Sequence, residues 1–501
     1  MDTLTTTSEV ARLRAALTEA GFTYDTVAGR LGPVAHAALS RNETTPALRA
    51  TADGSPLSTL TRLWPLQAAV PEADADRALP GLLDVLCAEG VLERCGGEVR
   101  ARVDIRPYAA DDQDFWVVSD LTPGMDGACS RVASDHVLGV SGASVSLAQL
   151  TVREPAGRAL DLGTGCGVQA LHLAGHTRHV VSTDVNRRAL RMVRLTAALN
   201  EVSLDVREGS LFEPVAGERF DLIVTNPPFV ISPATGERLV YRDSGLPGDE
   251  LVRRVVTLAP GHLNPGGWCQ LLANWPHVRG QAWEERVSGW LSGSGCDAWV
   301  LQREVVDVAE YVELWLKDAG LHGAPDYASR YDAWLAWFDE QGVDAVGFGW
   351  VNLRKLDEAG QTGREPVLRV ESWPFEVEQP LGGEVADWAR RTAFAACIAD
   401  ADLLAARLVT RPDVRQETLG PPGAEDPETI VLRQQRGLRR ARQVDTVLAG
   451  LVGACDGDLG VGQILDALAQ ILDRPAQALR DGYLPKVREL VEDGFLATGL
   501  R

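Results

Sequence analysis

The sequence predicts an α/β protein: a largely parallel sheet with helices on both faces, carried between two mainly helical end modules. Three observations predict it. Between residues 158 and 273, short apolar runs alternate with amphipathic stretches at the spacing of strand–helix–strand units. A glycine-rich junction, Asp161-Leu162-Gly163-Thr164-Gly165-Cys166-Gly167, follows the first of those runs. Near each end a helical pattern leads into a short ribbon, and the two ends share a phrase. Leu86-Cys87-Ala88-Glu89-Gly90-Val91-Leu92 is echoed by Leu490-Val491-Glu492-Asp493-Gly494-Phe495-Leu496.

Length and composition bound the reading. A chain of 501 residues has room for about three domains, and the expected boundaries are 1–110, 111–375 and 376–501. Hydrophobic residues are 45% and charged residues 24%, as in ordinary globular proteins. No apolar run reaches the ~18 residues of a membrane span, and the first residues lack a signal-peptide core. A soluble, cytoplasmic protein with no membrane partner is expected. The cysteines at 87, 95, 129, 166, 269, 296, 397 and 455 form no C-x-x-C pair, so reduced thiols and no metal site are expected. A net charge of −21 argues against a phosphate binder over the whole surface, although a local basic patch could still meet nucleic acid.

In the first module, helices are predicted over 8–20 and 80–89. The second carries Leu82, Leu83, Val85 and Leu86 and stops at Gly90. Gly96-Gly97 signals a tight turn, and the strict alternation over 99–106 reads as one half-buried strand. Helices followed by a ribbon suggest a winged helix. The C-terminal pattern Val461, Ile464, Leu465, Leu468, Ile471 and Leu472 suggests a second. Such modules either dock nucleic acid or protein, or cap the central domain. There, strands are expected over 158–162, 179–183, 220–225 and 268–273, with helices over 168–175, 187–199 and 249–259. Helices over 306–319 and 328–341 and strands over 346–353 and 367–371 follow. Pro412, Pro421, Pro422, Gly423 and Pro427 mark 411–427 as a linker.

Glycines at a strand–helix junction let the backbone turn tightly and approach a ligand, with helix amides pointing at it. An acid should follow about 20 residues on, at the end of the second strand, to bind a ribose hydroxyl pair. Asp184 does so, 21 residues after Gly163. A second motif, Asn226-Pro227-Pro228-Phe229, directly follows the strand Phe220-Asp221-Leu222-Ile223-Val224-Thr225. Two prolines end that strand abruptly and hold the Asn226 amide at the carboxyl edge of the sheet.

The acid-x-G-x-G-x-G order together with Asn-Pro-Pro-Phe resembles the class I S-adenosylmethionine-dependent N-methyltransferases. Within them residues 156–275 are most similar to the release-factor glutamine methyltransferases. The stretches Gly245-Leu246-Pro247-Gly248-Asp249-Glu250-Leu251 and Leu263-Asn264-Pro265-Gly266-Gly267 fit as well. The resemblance implies a Rossmann-like class I methyltransferase sheet and S-adenosylmethionine as cofactor. Asp161, Gly163, Thr164, Gly165, Gly167, Asp184, Ser210, Leu211 and Asn226 would contact the cofactor, with Asp161 near the sulfonium and amino group. Asn226 and the Pro227 carbonyl would accept hydrogen bonds from a planar –NH2 group on which Phe229 stacks. Two positions depart from the family: Gly209-Ser210 stands where Gly-Asp is common, and Phe229 where glutamine-modifying members usually have Tyr. The expected acceptor is a macromolecule, a protein glutamine of the translation apparatus. An RNA or DNA base (adenine N6 or guanine N2) and a non-catalytic scaffold are the alternatives.

Other features have simpler readings. His172 and His176, four apart on a helix with His179 nearby, are expected to face solvent and not a metal. Arg433, Arg436, Arg439, Arg440 and Arg442 form the one basic cluster, either a solvated face or a phosphate contact. Trp275 and Trp283 belong to the core or to a pocket wall.

Overall fold

The computed structural model describes residues 7–127, 132–233, 239–356, 364–422 and 427–498. Cys129 and Gly423 lie outside the described residues. The chain forms two compact units. One takes the residues up to Ala148, Glu154–Lys355 and Arg369–Glu371; the other takes Gln149–Arg153, Leu356–Leu368 and the residues from Ser372 on. Among the described residues, no helix is long and apolar enough to cross a membrane.

The first unit opens with helices α1 (Thr7–Glu19), α2 (Tyr24–Leu39), α3 (Thr45–Ala50) and α4 (Pro56–Leu63). Side-chain caps start two of them: Thr23 accepts from the Thr26 amide and Ser55 from the Ser58 amide. Then come β1 (Val70–Pro71), α5 (Glu72–Ala78), α6 (Leu83–Ala88), β2 (Leu92–Cys95) and β3 (Glu98–Ala101), with β3 pairing antiparallel to both β1 and β2. The strand expected over 99–106 is two. After β3 the Arg102 amide donates to the Val91 carbonyl at 2.8 Å, and β4 (Asp104–Ala110) pairs instead with β5 (Gln113–Ser119). The alternation persisted because Val99, Ala101, Val103 and Ile105 all face the same core. Period-two patterning reports the buried face, not the pairing partner.

Helix α7 (Gly142–Leu150) leads into β6 (Ala156–Leu162), α8 (Val168–Ala174), β7 (Thr177–Asp184), α9 (Arg187–Leu199), β8 (Leu204–Glu208) and β9 (Phe220–Thr225). Then follow α10 (Glu250–Leu258), β10 (Leu263–Val278), α11 (Trp283–Leu291), β11 (Cys296–Asp307), α12 (Val308–Asp318), α13 (Tyr327–Glu340), β12 (Val343–Lys355) and β13 (Leu368–Ser372). Eight strands form one sheet in the order β13-β11-β12-β10-β9-β6-β7-β8. Strands β6 to β10 run parallel, and β12 is antiparallel to both neighbours. Leu160, Val181 and Ile223 in the middle strands are fully buried, as a parallel sheet covered on both faces requires.

The interior is continuous across residue 110. Leu13, Leu17 and Phe22 share one buried cluster with Tyr108, Val118, Leu171, Met192 and Leu199. Trp116 joins the parts: its indole N–H donates to the Phe22 carbonyl at 2.8 Å, and its amide donates to Asn200 at 2.9 Å.

The second unit holds α14 (Gly382–Cys397), α15 (Asp400–Ala405), β14 (Leu408–Thr410), β15 (Val414–Leu419), β16 (Thr429–Gln434) and β17 (Ala441–Val444). It ends with α16 (Thr446–Ala454), α17 (Val461–Ile471), α18 (Ala476–Glu492) and β18 (Leu496–Thr498). The expected linker over 411–427 contains β15, which pairs with β16 from Val414↔Gln434 to Leu419↔Thr429. Its prolines flank the strand and so mask it in the sequence. Leu451, Val461, Leu465, Leu490 and Phe495 are fully buried in the core of this unit.

Candidate functional site

A cavity of about 450 Å³ opens at the carboxyl ends of β6, β7 and β9, where open α/β sheets bind ligands. Gly163, Thr164, Gly165, Asp184, Ser210, Leu211, Asn226 and Pro227 line it; Asp161, Gly167 and Phe229 do not.

The glycine loop is held from beneath. The Gly163 and Thr164 amides both donate to the Thr183 carbonyl, at 2.9 and 2.8 Å, tying the end of β6 to β7. Gly167 has φ +91°, and a Cβ there would lie 2.7 Å from a Val193 methyl, so only glycine fits between loop and α9. Asp161, 1% exposed, turns inward: its Oδ2 accepts from the Thr164 hydroxyl at 2.6 Å and from the Ala170 amide at 3.1 Å. The carboxylate expected beside the cofactor thus braces the loop.

Burial pushes the Asp161 carboxyl up to about 7 from its ordinary 3.8, against those two donors and with help from Asp184. The folded state therefore holds a proton that the unfolded chain has released, and stability falls as pH rises between the two values. Measured as wild type minus Asp161→Asn by thermal melting, stability should decline from about pH 4 to about pH 7 and be level above. A flat difference would show that Asp161 ionises freely.

Asp184 ends β7 with both carboxylate oxygens engaged. Oδ2 accepts from the Gly165 amide at 2.9 Å and Oδ1 from the Asn186 amide at 2.8 Å. Burial raises its pKa while these amides lower it. Asp184→Ala should weaken S-adenosylhomocysteine binding by about 1.5–3 kcal/mol, the scale of one lost charged hydrogen bond; unchanged affinity in calorimetry would remove it from the site. Across the cavity Leu211 sits at φ +48°, a costly conformation for leucine that places it on the lining. Burial pushes the Cys166 thiol up to about 12, which keeps it protonated and no nucleophile.

Strand β9 delivers the second motif. The Thr225 hydroxyl donates to the Leu162 carbonyl at 2.6 Å, locking the ends of β9 and β6 together. Beyond it Asn226 Oδ1 is buried and has no hydrogen-bond partner in the protein. An unmet buried acceptor on a cavity wall is expensive unless a ligand donor completes it. Phe229 points elsewhere: it is half-buried, edge-on to Trp315 with centroids 6.4 Å apart, and bridges Asp243.

Sequence reasoning missed further lining residues, among them His136, Ser144, Gln169, Tyr241 and Arg254. His136 packs edge-on to Tyr241 at 5.7 Å, and burial lowers its pKa against the pull of Asp120. Asp120 holds the chain beside His136 by accepting from the Val137 amide at 2.8 Å while Arg188 donates to it. His136 and Tyr241 come from irregular segments that no periodic signal marks, while Ser144, Gln169 and Arg254 lie on α7, α8 and α10.

The remaining candidates resolve differently. His172 is buried, 2.8 Å from the Tyr108 hydroxyl, because α8 presses that face onto the β4–β5 hairpin; His179 is exposed. Every arginine of the basic cluster faces a carboxylate: Arg433 meets Glu417, Arg436 Glu378, Arg439 Glu376, Arg440 Asp493, and Arg442 both Glu489 and Asp493. Trp275 stacks on Trp283 at 5.4 Å within the core.

Residues 139–285, which include all the motif residues, match the family described as methyltransferase small domain. Residues 19–102 and 386–498 match two families described as domains of unknown function. A release factor glutamine methyltransferase of Geobacter sulfurreducens is 36% identical over 155 residues, 28% of this chain and 52% of that protein. A ribosomal RNA small subunit methyltransferase C of Alcanivorax borkumensis is 34% identical over 118 residues, covering 24% and 32%. A ribosomal protein uL3 glutamine methyltransferase of Bradyrhizobium diazoefficiens is 36% identical over 124 residues, covering 22% and 38%. The chain spans about half the length of the release-factor relative, and less of the other two.

Proposed function

We propose that this chain is an S-adenosylmethionine-dependent N-methyltransferase that modifies a planar –NH2 nitrogen, a protein glutamine of the translation apparatus, in the cytoplasm. The observation that carries the reading is the partnerless Asn226 Oδ1 on the cavity wall. An amide nitrogen is a poor nucleophile because its lone pair is delocalised. Asn226 Oδ1 and the Pro227 carbonyl would accept its two hydrogens, fixing the group and favouring a more pyramidal nitrogen. Such a step needs positioning and electrostatics more than acid–base chemistry.

The residues present fit the cofactor. A cavity of about 450 Å³ offers the Asp184 carboxylate for ribose hydroxyls, with the amide-rich glycine loop beside it. S-adenosylmethionine, when bound, supplies an electrophilic methyl group. Ser210 and Leu211 would border its base, and Asp161 would support from behind the loop.

A protein acceptor is favoured over nucleic acid by the net charge of −21 and by the carboxylate opposite each clustered arginine. The order helix, strand, helix, helix, ribbon from α4 to β3 supports a winged-helix reading of the N-terminal portion, and α16 to β18 a counterpart. In α6 and its end, Asp84 and Glu89 are the charged residues, which suits protein contact better than phosphate. Transfer of labelled methyl into cell extract, followed by separate protease and nuclease digestion, tests the reading. Label released by protease is the expected result. Label released by nuclease would reassign the acceptor to a base, and no label at all would leave a binding scaffold.

A further inference from the structure

We propose that the α12–α13 insertion between β11 and β12 is the acceptor-selecting element, with Tyr311, Tyr241 and Asp318 as positioning residues. This rests on the methyl-transfer reading above. The insertion does more than pack on the sheet: it grips the two segments that form the acceptor side of the cavity. The first is the chain leaving Asn226-Pro227-Pro228-Phe229. Val230 and Ile231 are buried in the insertion's own core, and the Ile231 amide donates to the Tyr311 hydroxyl oxygen at 2.9 Å. That oxygen also accepts from the Asn274 side-chain amide at 3.1 Å, which ties it to β10. Phe229 closes the same contact against Trp315.

The second segment carries Val240, Tyr241, Ser244 and Leu246 on the cavity wall. Here the Tyr241 hydroxyl donates to Asp318 Oδ2 at 2.6 Å, at the end of α12. Arg242, 7% exposed, donates to the Trp315 carbonyl, and its guanidinium lies over the Trp315 ring at 5.9 Å. The two segments are also joined to each other, since the Val230 amide donates to the Arg242 carbonyl at 3.1 Å. One face of α12 thus sets both where Asn226 is held and where Tyr241 stands. None of these bonds involves a residue of β6, β7 or α8, the elements that carry the glycine loop and Asp184. The arrangement separates acceptor geometry from cofactor geometry.

The test uses the full chain with Tyr311→Phe, and with Tyr241→Phe and Asp318→Ala singly and together. Three readouts are needed: hydrogen–deuterium exchange, calorimetric binding of S-adenosylhomocysteine, and labelled methyl transfer to a recombinant bacterial release factor and, separately, to purified ribosomes. Tyr311→Phe should raise exchange at the Ile231 amide by about tenfold, because its acceptor is gone. Cofactor affinity should stay within twofold. Acceptor kcat/KM should fall by about 10–100-fold, the scale of a misplaced reacting group. The Tyr241 and Asp318 changes should be non-additive, and Asp318→Asn, which keeps an acceptor oxygen, should restore most of the loss. Unchanged exchange in Tyr311→Phe overturns the latch. Raised exchange with unchanged kcat/KM, or an equal loss of cofactor affinity, overturns the acceptor role. If the wild type methylates neither probe, the functional reading fails, and the acceptor role falls with it whatever the exchange shows.

Discussion

Asn226→Ala is expected to lower turnover by about 10²–10³-fold, the scale of removing one preorganised polar contact at a reacting centre. Cofactor affinity should barely change, because Asp184 and the glycine loop, not Asn226, dominate the far side of the cavity. The fold should also hold, since Asn226 Oδ1 makes no hydrogen bond that the substitution could break. Asn226→Asp should be harmful too, because it places a charge beside the transferring methyl and removes the amide NH2. Stopped-time transfer assays alongside calorimetry separate the two effects. Full transfer activity in Asn226→Ala would make the Asn-Pro-Pro-Phe turn a structural device only.

Deleting residues 1–110 should abolish cooperative folding of the sheet domain, not leave a working remnant. Helix α1 buries Leu13 and Leu17 completely, in the cluster that also holds Leu195 and Leu199 of α9. Arg14 adds a 2.8 Å ion pair to Glu201. Each buried leucine lost to alanine costs about 2–5 kcal/mol, against a total stability of about 5–15 kcal/mol for an ordinary domain. Removing the whole layer exceeds that margin, and Leu13→Ala with Leu17→Ala should already lower the melting temperature sharply. A chain of residues 111–501 that melts cooperatively and binds S-adenosylhomocysteine normally would refute the shared core.

What could be read from the sequence follows from how local each signal is. Helix α9 was legible to the residue, because Asn186 caps it and Ala189, Leu190, Val193 and Leu199 mark its buried stripe. Strand β10 was read too short. Pro265-Gly266-Gly267 looks like a turn, yet it is an irregularity in a strand that begins at Leu263, and a Cβ at Gly267 would meet the Asn264 carbonyl at 2.9 Å. At the site, the contiguous motifs brought Gly163, Asp184 and Asn226 together as expected. The direction of Phe229 was not legible, since Trp315, some 86 positions on, decides it. Nor were His136 and Tyr241, whose segments, distant in sequence, are joined by a bond from the Val240 amide to the Ser134 carbonyl.

Strand β12 enters the sheet between two strands made before it, pairing with β10 from Trp268↔Arg354 to Val278↔Val343 and with β11 from Cys296↔Lys355 to Asp307↔Ala345. During synthesis, therefore, β10 and β11 both emerge with long unpaired edges that no earlier segment can cover. Strand β12, complete at residue 355, covers the edges that face each other, and the outer edge of β11 waits for β13 (Leu368–Ser372). Nascent chains stalled before β12 carry open, apolar edges, each a template for a strand of another molecule. A chain cut off before β12 is therefore expected to aggregate more readily than one that ends after β13, where both edges of β11 are covered.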